Sequence, residues 1–141
     1  MSYTINRMFS GSTFDEIHVR KRAALAQKGF DILTEIDVLA TVKKKPDVEM
    51  PAYRILGASN PKMAYQAIGM EPRVCAMLPC NVIVREVDGG VEVSAVDPVA
   101  SMQAIENTEL HAVAGKVLDL LAEAVSAIGE FRVTHKPDFR A

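Results

Sequence analysis

The sequence has few of the features that mark specialised classes of protein. It has only two cysteines in 141 residues, too few for a disulfide scaffold, which a chain of this length does not need. Its 16 basic and 18 acidic residues leave a formal charge of -2, so no overall charge favours nucleic acid or anionic lipid. No apolar run is long enough for a transmembrane helix, and residues 1–9 lack the apolar core of a signal peptide. We expect a cytoplasmic protein with no nucleic-acid or membrane partner.

Internal boundaries are also missing. No Gly-, Ser- or Pro-rich linker, internal repeat or low-complexity tract interrupts the chain. The composition, 49% hydrophobic and 24% charged, is ordinary for a globular protein and argues against disorder. The sequence therefore predicts a single domain over residues 1–141.

The first helix is predicted to begin at Ser12 or Thr13 and to end at Gly29. Thr13 and Glu16 have the spacing of a capping box, and glycine is the usual residue just beyond a helix C-terminus. The apolar side of this helix also carries His18 and Lys21. We interpret Lys21 as a side chain that extends to solvent along the apolar surface and His18 as a residue at the edge of that surface.

Alternation of apolar and polar residues predicts a strand over Asp31–Val38. It places Ile32, Thr34 and Ile36 on one face and Leu33, Glu35 and Asp37 on the other. Further strands are predicted over residues 53–58, 74–78, 81–87 and 91–96, with a hairpin turn at residues 88–90.

Helix starts are predicted where an aspartate or asparagine can cap the free amide groups. These N-caps are Asp37, Asn60 before Pro61, and Asp97 before Pro98. Lysines 43–45 suit the C-terminal end of the short helix over residues 39–45. The longest helix is predicted from Leu110 to Ile128, followed by a loosely attached tail. The pattern indicates an α+β fold, in two layers, with helices on one face of a mainly antiparallel sheet.

Known chemical motifs are weak in this sequence. The three histidines are far apart, and Cys75 and Cys80 are separated by four residues instead of the two typical of a zinc site. In an extended segment these cysteines would also point to opposite faces, which disfavours a disulfide. We predict no metal site, find no glycine-rich phosphate loop, and leave any cofactor unassigned.

One segment has an unusual composition, namely Leu78-Pro79-Cys80-Asn81 before the apolar run 82–84. Proline is found at the first residue or the edge of a strand, so Cys80 and Asn81 are expected at a strand entrance. Cys80 is then either a reactive or ligand-contacting thiol or a buried structural cysteine.

Four blocks of the chain, in order, resemble the DUF302 family. They are the run GFDILTEIDV at residues 29–38, ILGASNP at 55–61, LPCNVIV at 78–84, and Asp97-Pro98 followed by Met102. The resemblance implies the two-layer TT1751-like fold and a homodimer. The family commonly has a cysteine where this chain has Ser59, so any role that needs two thiols is unavailable here.

The resemblance also implies that three of these blocks converge on a pocket that could take a small-molecule ligand. The candidate ligand-binding residues are Glu35, Asp37, Ser59, Asn60, Cys80 and Asn81. Three functions remain open. The first is a non-enzymatic module that binds a small ligand or carries a modified thiol, and the second is a structural homodimer without a ligand. The third is an enzyme with Cys80 as nucleophile and Glu35 or Asp37 as base.

Overall fold

The computed structural model describes residues 2–44 and 49–130. Along these residues the chain forms five strands and five α-helices, which are β1 (Thr4–Phe9), α1 (Phe14–Gln27), β2 (Asp31–Asp37), α2 (Val38–Val42), β3 (Tyr53–Ser59), α3 (Pro61–Met70), β4 (Cys80–Val87), β5 (Gly90–Val96), α4 (Pro98–Ser101) and α5 (Thr108–Ala127). His135 and the rest of the predicted tail lie outside the described residues, as does Lys45.

The strands form one sheet in the order β1-β5-β4-β3-β2, with every neighbouring pair antiparallel. Alternate residues of each strand point to opposite faces, and α1 and α5 pack on one of them. This arrangement confirms the predicted α+β architecture. The core between sheet and helices is built mainly from buried aliphatic side chains: Ile17, Leu25, Leu56, Val82, Val84, Val93, Leu121 and Ile128.

The edge strand β1 was not predicted from the sequence. Ile5, Arg7 and Phe9 face the helices, while Thr4, Asn6 and Met8 face away. Its only partner among the described residues is β5, about 90 residues away, where Thr4 pairs with Val96 and Phe9 with Val91. Because one inward position is an arginine, which donates to the carbonyl of Val125 over 2.9 Å, the apolar alternation is too weak to indicate a strand.

A bulge between Ile32 and Thr34 reverses the predicted faces of β2 beyond this point. Ile32 pairs with Ala58 and Glu35 pairs with Leu56, so Ile32, Glu35 and Asp37 share the helix-covered face. The prediction that Ile32 shares a face with Thr34 and Ile36 is wrong. The extra residue of a bulge changes the phase of every side chain that follows it.

The helix caps follow the sequence closely. The side chains of Thr13, Asp37, Asn60 and Asp97 each accept a hydrogen bond from a backbone N–H in the first turn of the following helix. At the end of α1, Gly29 has φ of +86°, a conformation that favours glycine. The amide of Phe30 donates to Leu25 and that of Gly29 to Ala26, which is a Schellman motif.

The predicted strand over residues 74–78 is wrong. Val74–Ala76 is a short 3₁₀ helix, and the amide of Met77 donates to the carbonyl of Val74 over 2.8 Å. Val74 is fully buried beside Ala67 and Met102. A short apolar run cannot by itself distinguish a strand from a helical turn, and local hydrogen bonds satisfy this backbone without a sheet partner.

No helix within residues 2–44 and 49–130 is long and apolar enough to cross a membrane.

Candidate functional site

A cavity lies between α3, α5 and the ends of β3 and β4, and we call it the helix-side cavity. Its volume is about 390 Å³, part of which is open to solvent. Its walls are mostly apolar and are formed by Phe30, Ala58, Met63, Ala64, Ala67, Leu78, Pro98, Met102, Leu110, Val113, Ala114 and Val117. Ser59, Asn60 and Cys80 complete the lining.

The strand end and the helix start together position Asn60. Its Oδ1 accepts a hydrogen bond from the amide of Met63 over 3.2 Å, which fixes the side chain as the N-cap of α3. The Nδ2 atom faces Gly29, where an added Cβ would come within 3.3 Å of it. Cap geometry therefore fixes the side chain of Asn60, which lines a mostly apolar space.

Cys80 is a wall residue of this cavity. Its side chain points to the helix-covered face, pairs across the sheet with Ala58, and is 3% exposed. Burial raises the pKa of the thiol to about 11. Because the thiolate is the reactive form, Cys80 is suited to packing against a ligand and not to nucleophilic attack at neutral pH.

Asn81 does not join Ser59, Asn60 and Cys80 in the helix-side cavity. Adjacent strand residues point to opposite faces, so Asn81 is exposed on the face that the described helices leave uncovered. There it lies near Pro79, which follows a cis peptide bond after Leu78. Leu78 itself lines the helix-side cavity, so this short segment contributes to both faces of the sheet.

Glu35 and Asp37 also lie away from the cavity. They form ion pairs with Arg22 and Arg54, and we call these four residues the Glu35 cluster. On the neighbouring strand β3, Glu35 pairs with Leu56 and Asp37 pairs with Arg54. Arg54 is four residues, or about 13 Å, along β3 from Ala58, which lines the cavity. The expected convergence of all six candidate residues is therefore corrected. Neither Glu35 nor Asp37 lines the cavity, and Asn81 faces the opposite side of the sheet.

The Glu35 cluster joins α1 to the edge of the sheet. Arg22 Nη1 donates to Glu35 Oε1 over 2.7 Å, and Arg54 lies 3.5 Å from Glu35 and 3.6 Å from Asp37. His18 Nε2 is 3.0 Å from Glu35 Oε1, although not aligned as a hydrogen bond. Asp37 is already engaged by its second oxygen, which caps α2 at the amide of Ala40 over 2.9 Å.

His18 and Lys21 are buried on the inner side of α1, with 4% and 0% of their surfaces exposed, and His18 lies against Glu35 of the cluster. The interpretation that Lys21 extends to solvent and that His18 lies at an edge is wrong. His18 and Lys21, two polar residues on the apolar side of α1, could have indicated buried polar groups from the sequence alone. Desolvation, with Lys21 as a second cause, lowers the pKa of His18 to about 4. Desolvation also lowers the pKa of Lys21, to about 7.

A reaction with Cys80 as nucleophile and Glu35 or Asp37 as base would need the thiol and a carboxylate side by side. Cys80 lines the helix-side cavity, whereas Glu35 and Asp37 are ion-paired in the Glu35 cluster. In the described part of the chain, no three His, Cys, Asp or Glu side chains come together as a group that could hold a metal ion.

The fold defines a class of α+β protein in which one helix layer covers one face of an antiparallel sheet. Comparison with known proteins then gives the family. The model of "Domain of unknown function DUF302" matches residues 7–128, and the chain belongs to the DUF302 family. No curated protein matches the chain.

A solved structure has the same fold. It is the crystal structure of an uncharacterized conserved DUF302 protein from Bacillus stearothermophilus, with a TM-score of 0.84 and 20% sequence identity. The alignment covers 89% of this chain and 98% of that one.

Proposed function

We propose that this protein is a non-enzymatic module that binds a small, mainly apolar molecule in the helix-side cavity. The supporting observation is that Ser59 and Asn60 line an otherwise mostly apolar space. Ligand sites commonly combine apolar walls with a few polar groups that fix orientation. Cys80 would contribute a wall contact, because its raised pKa disfavours a role as a thiol carrier.

Entry of a ligand requires the cavity to widen. Helix α3 is the wall best suited to move, because only Ala67 is buried among its ten residues. Met63 and Met102 also line the space, and the flexible thioether side chain of methionine adapts to different shapes. A ligand would therefore enter between α3 and α5.

Native mass spectrometry of the protein, purified without reductant, tests this function first by detecting any small molecule that remains bound. Titration with indole, followed by NMR chemical shifts, then tests the empty protein. We expect shifts for residues that line the cavity. A spectrum with no bound mass, together with no cavity shifts at millimolar indole, would overturn the proposal.

A matched pair of variants on α5 locates the binding. Ala114 is buried and lines the cavity, whereas Ala112 is an exposed residue of the same helix. Ala114→Leu should fill the space and abolish the indole shifts, while Ala112→Leu should leave them unchanged. Ala64→Leu, from the opposite wall, gives a second test if Ala114→Leu folds poorly.

The uncovered face of the sheet favours a second function, self-association into a homodimer. Exposed or half-buried apolar side chains occur on and beside this face, including Tyr53, Met77 and Ile83. Arg85 and Glu92, also on this face, form a two-pronged ion pair with distances of 3.1 and 2.8 Å. Since these charges neutralise each other, the surface could meet a second copy without repulsion.

Both cysteines are free, which suits the reducing environment of a cytoplasmic protein.

A further inference from the structure

Lys21 is the residue whose burial the fold explains least. Its side chain is completely buried on the inner side of α1, near Ile17, Ala24 and Leu25. Within the described residues, its Nζ has no hydrogen-bond partner. A buried amine without a partner is costly, and this cost points to a function for Lys21.

The Glu35 cluster is already balanced without Lys21. Its charges are Arg22 on α1, Glu35 and Asp37 on β2, and Arg54 on β3, of which Glu35, Arg22 and Arg54 act electrostatically on the Lys21 amine. His18 adds no charge at neutral pH, because its pKa is lowered to about 4. A proton on Lys21 would therefore be an unmatched positive charge in the interior. Burial and neighbouring cations are the two conditions that keep a lysine amine unprotonated and nucleophilic.

The charge balance also selects the class of substrate. An imine formed at Lys21 would acquire a positive charge when protonated, and a 2-oxo acid supplies its own carboxylate to match that charge. Arg22 and Arg54 can bind a carboxylate through their planar guanidinium groups. Their side chains are 37% and 27% exposed, so a small anion can reach them from solvent.

We propose that Lys21, Arg22, Arg54 and Glu35 form a second site, which binds a small 2-oxo acid as a reversible imine. The substrate carboxylate replaces Glu35 at Arg22, and the opening of this half-exposed ion pair gives the substrate carbonyl access to the buried Lys21 amine. A shallow cleft lined by Arg22, Ile32, Leu33, Thr34 and Glu35 leads to this pair from outside.

In the covalent step, the lone pair of Nζ attacks the carbonyl carbon, and the π electrons of the C=O bond move to oxygen. The nitrogen loses both of its hydrogens, and the oxygen leaves with them as water when the C=N bond forms. The released Glu35 carboxylate carries these protons from nitrogen to oxygen. No oxidant, reductant or further reactant is needed.

Reductive trapping tests this site directly. The whole protein is incubated at pH 7 with glyoxylate or pyruvate and cyanoborohydride, which reduces an imine to a stable amine, and modified lysines are mapped by peptide mass spectrometry. We expect Lys21 to be modified at least about tenfold faster than the exposed Lys62 and Lys116, because a desolvated lysine amine is the stronger nucleophile. Modification confined to the exposed lysines, or absent, would overturn the proposal.

Two further comparisons separate a built site from a merely reactive amine. Propionaldehyde has the carbonyl but no carboxylate, and it should modify Lys21 more slowly than pyruvate does. Propionate has the carboxylate alone, and it should slow trapping by pyruvate. Equal rates with pyruvate and propionaldehyde, with no protection by propionate, would show that the arginines do not bind the substrate and would overturn the proposal.

The variants Lys21→Met and Lys116→Met form the matched control. The first should lose the fast adduct, and the second should retain it. Because indole binding is measured elsewhere in the molecule, in the helix-side cavity, failure of either proposal leaves the other standing.

Discussion

At the scale of the residue, Lys21 should weaken the fold in a manner that depends on pH. Its pKa falls from 10.5 to about 7 on folding, so the unfolded chain binds more protons between these values. The free energy of unfolding of the wild type should therefore increase as the pH rises from 7 to 10.5. Below pH 7 the free-energy cost of burying Lys21 in place of a protonated, solvated amine is fully present, and above pH 10.5 it is absent.

The variant Lys21→Met tests this directly. Methionine fills a similar volume without a charge, and we expect it to raise the free energy of unfolding at pH 7 by roughly 2 to 4 kcal/mol. The advantage should shrink toward pH 10. Urea unfolding of both proteins at the two pH values measures it. The same difference at both values would show that Lys21 is not buried as an uncharged amine.

The two cysteines provide a second prediction at this scale. Cys75 is exposed and Cys80 is buried, and burial raises the pKa of the Cys80 thiol to about 11. At pH 8 a thiol-specific reagent such as dithionitrobenzoate should react quickly with one thiol, and with the second only after urea unfolds the protein. The Cys75→Ser variant should show no fast phase, whereas Cys80→Ala should retain it. Fast reaction of both thiols in the folded wild type would contradict the burial of Cys80.

At the scale of the element, contact between β2, β3 and β4 depends on Gly57. A Cβ at this position would collide with Thr34 Oγ1 and would lie 3.0 Å from Pro79 Cγ. We expect Gly57→Ala to lower the free energy of unfolding by about 1 to 3 kcal/mol, because neighbouring strands must shift. Thermal unfolding monitored by circular dichroism gives the change.

Gly115→Ala is the matched control, because an added Cβ at this position in α5 has no atom within 4 Å. It should stabilise the protein by roughly 0.5 to 1 kcal/mol, the usual gain when alanine replaces glycine within a helix. The double variant Thr34→Ala/Gly57→Ala should recover part of the loss. If it loses as much as Gly57→Ala, the collision with Thr34 is not the cause.

Elements differ in how far the sequence predicts them, and the range of the interactions explains why. The caps at Thr13, Asp37, Asn60 and Asp97 were predictable because each involves neighbours within three residues. The strand β1 was not predictable, because its partner is about 90 residues away and its inward arginine hides the alternation. The bulge before Thr34 was also invisible, because it is fixed by pairing with β3 and not by local preference.

The same distinction applies to the candidate site. Ser59, Asn60 and Cys80 line one cavity because the end of β3 and the start of β4 meet there. Asn81 was misplaced although strand alternation alone separates it from Cys80. Lys21 was misjudged because a lysine on an apolar helix side usually reaches solvent. Its burial follows from the packing of α1 against the sheet and α5, which is a tertiary feature.

At the scale of the whole molecule, α1 and α5 cover one face of the sheet and leave the other without a helix among the described residues. Five strands about 4.8 Å apart and about 20 Å long give a face of roughly 400 to 500 Å². Pairing two such faces would bury close to 1,000 Å², at the low end of specific interfaces. We therefore expect a homodimer with a dissociation constant in the micromolar range.

Sedimentation equilibrium across a range of concentrations tests this dimer. Ile83 is half-buried on the uncovered face of the central strand β4, and Ile83→Lys should yield a monomer, because two lysines would then meet in the interface. Ile68, 43% exposed on α3, is the control, and Ile68→Lys should still dimerise. A wild type that stays monomeric at several hundred micromolar, or a dimer that survives Ile83→Lys, would contradict assembly through this face. Retention of the wild-type circular dichroism spectrum by both variants would show that any change lies in association and not in folding.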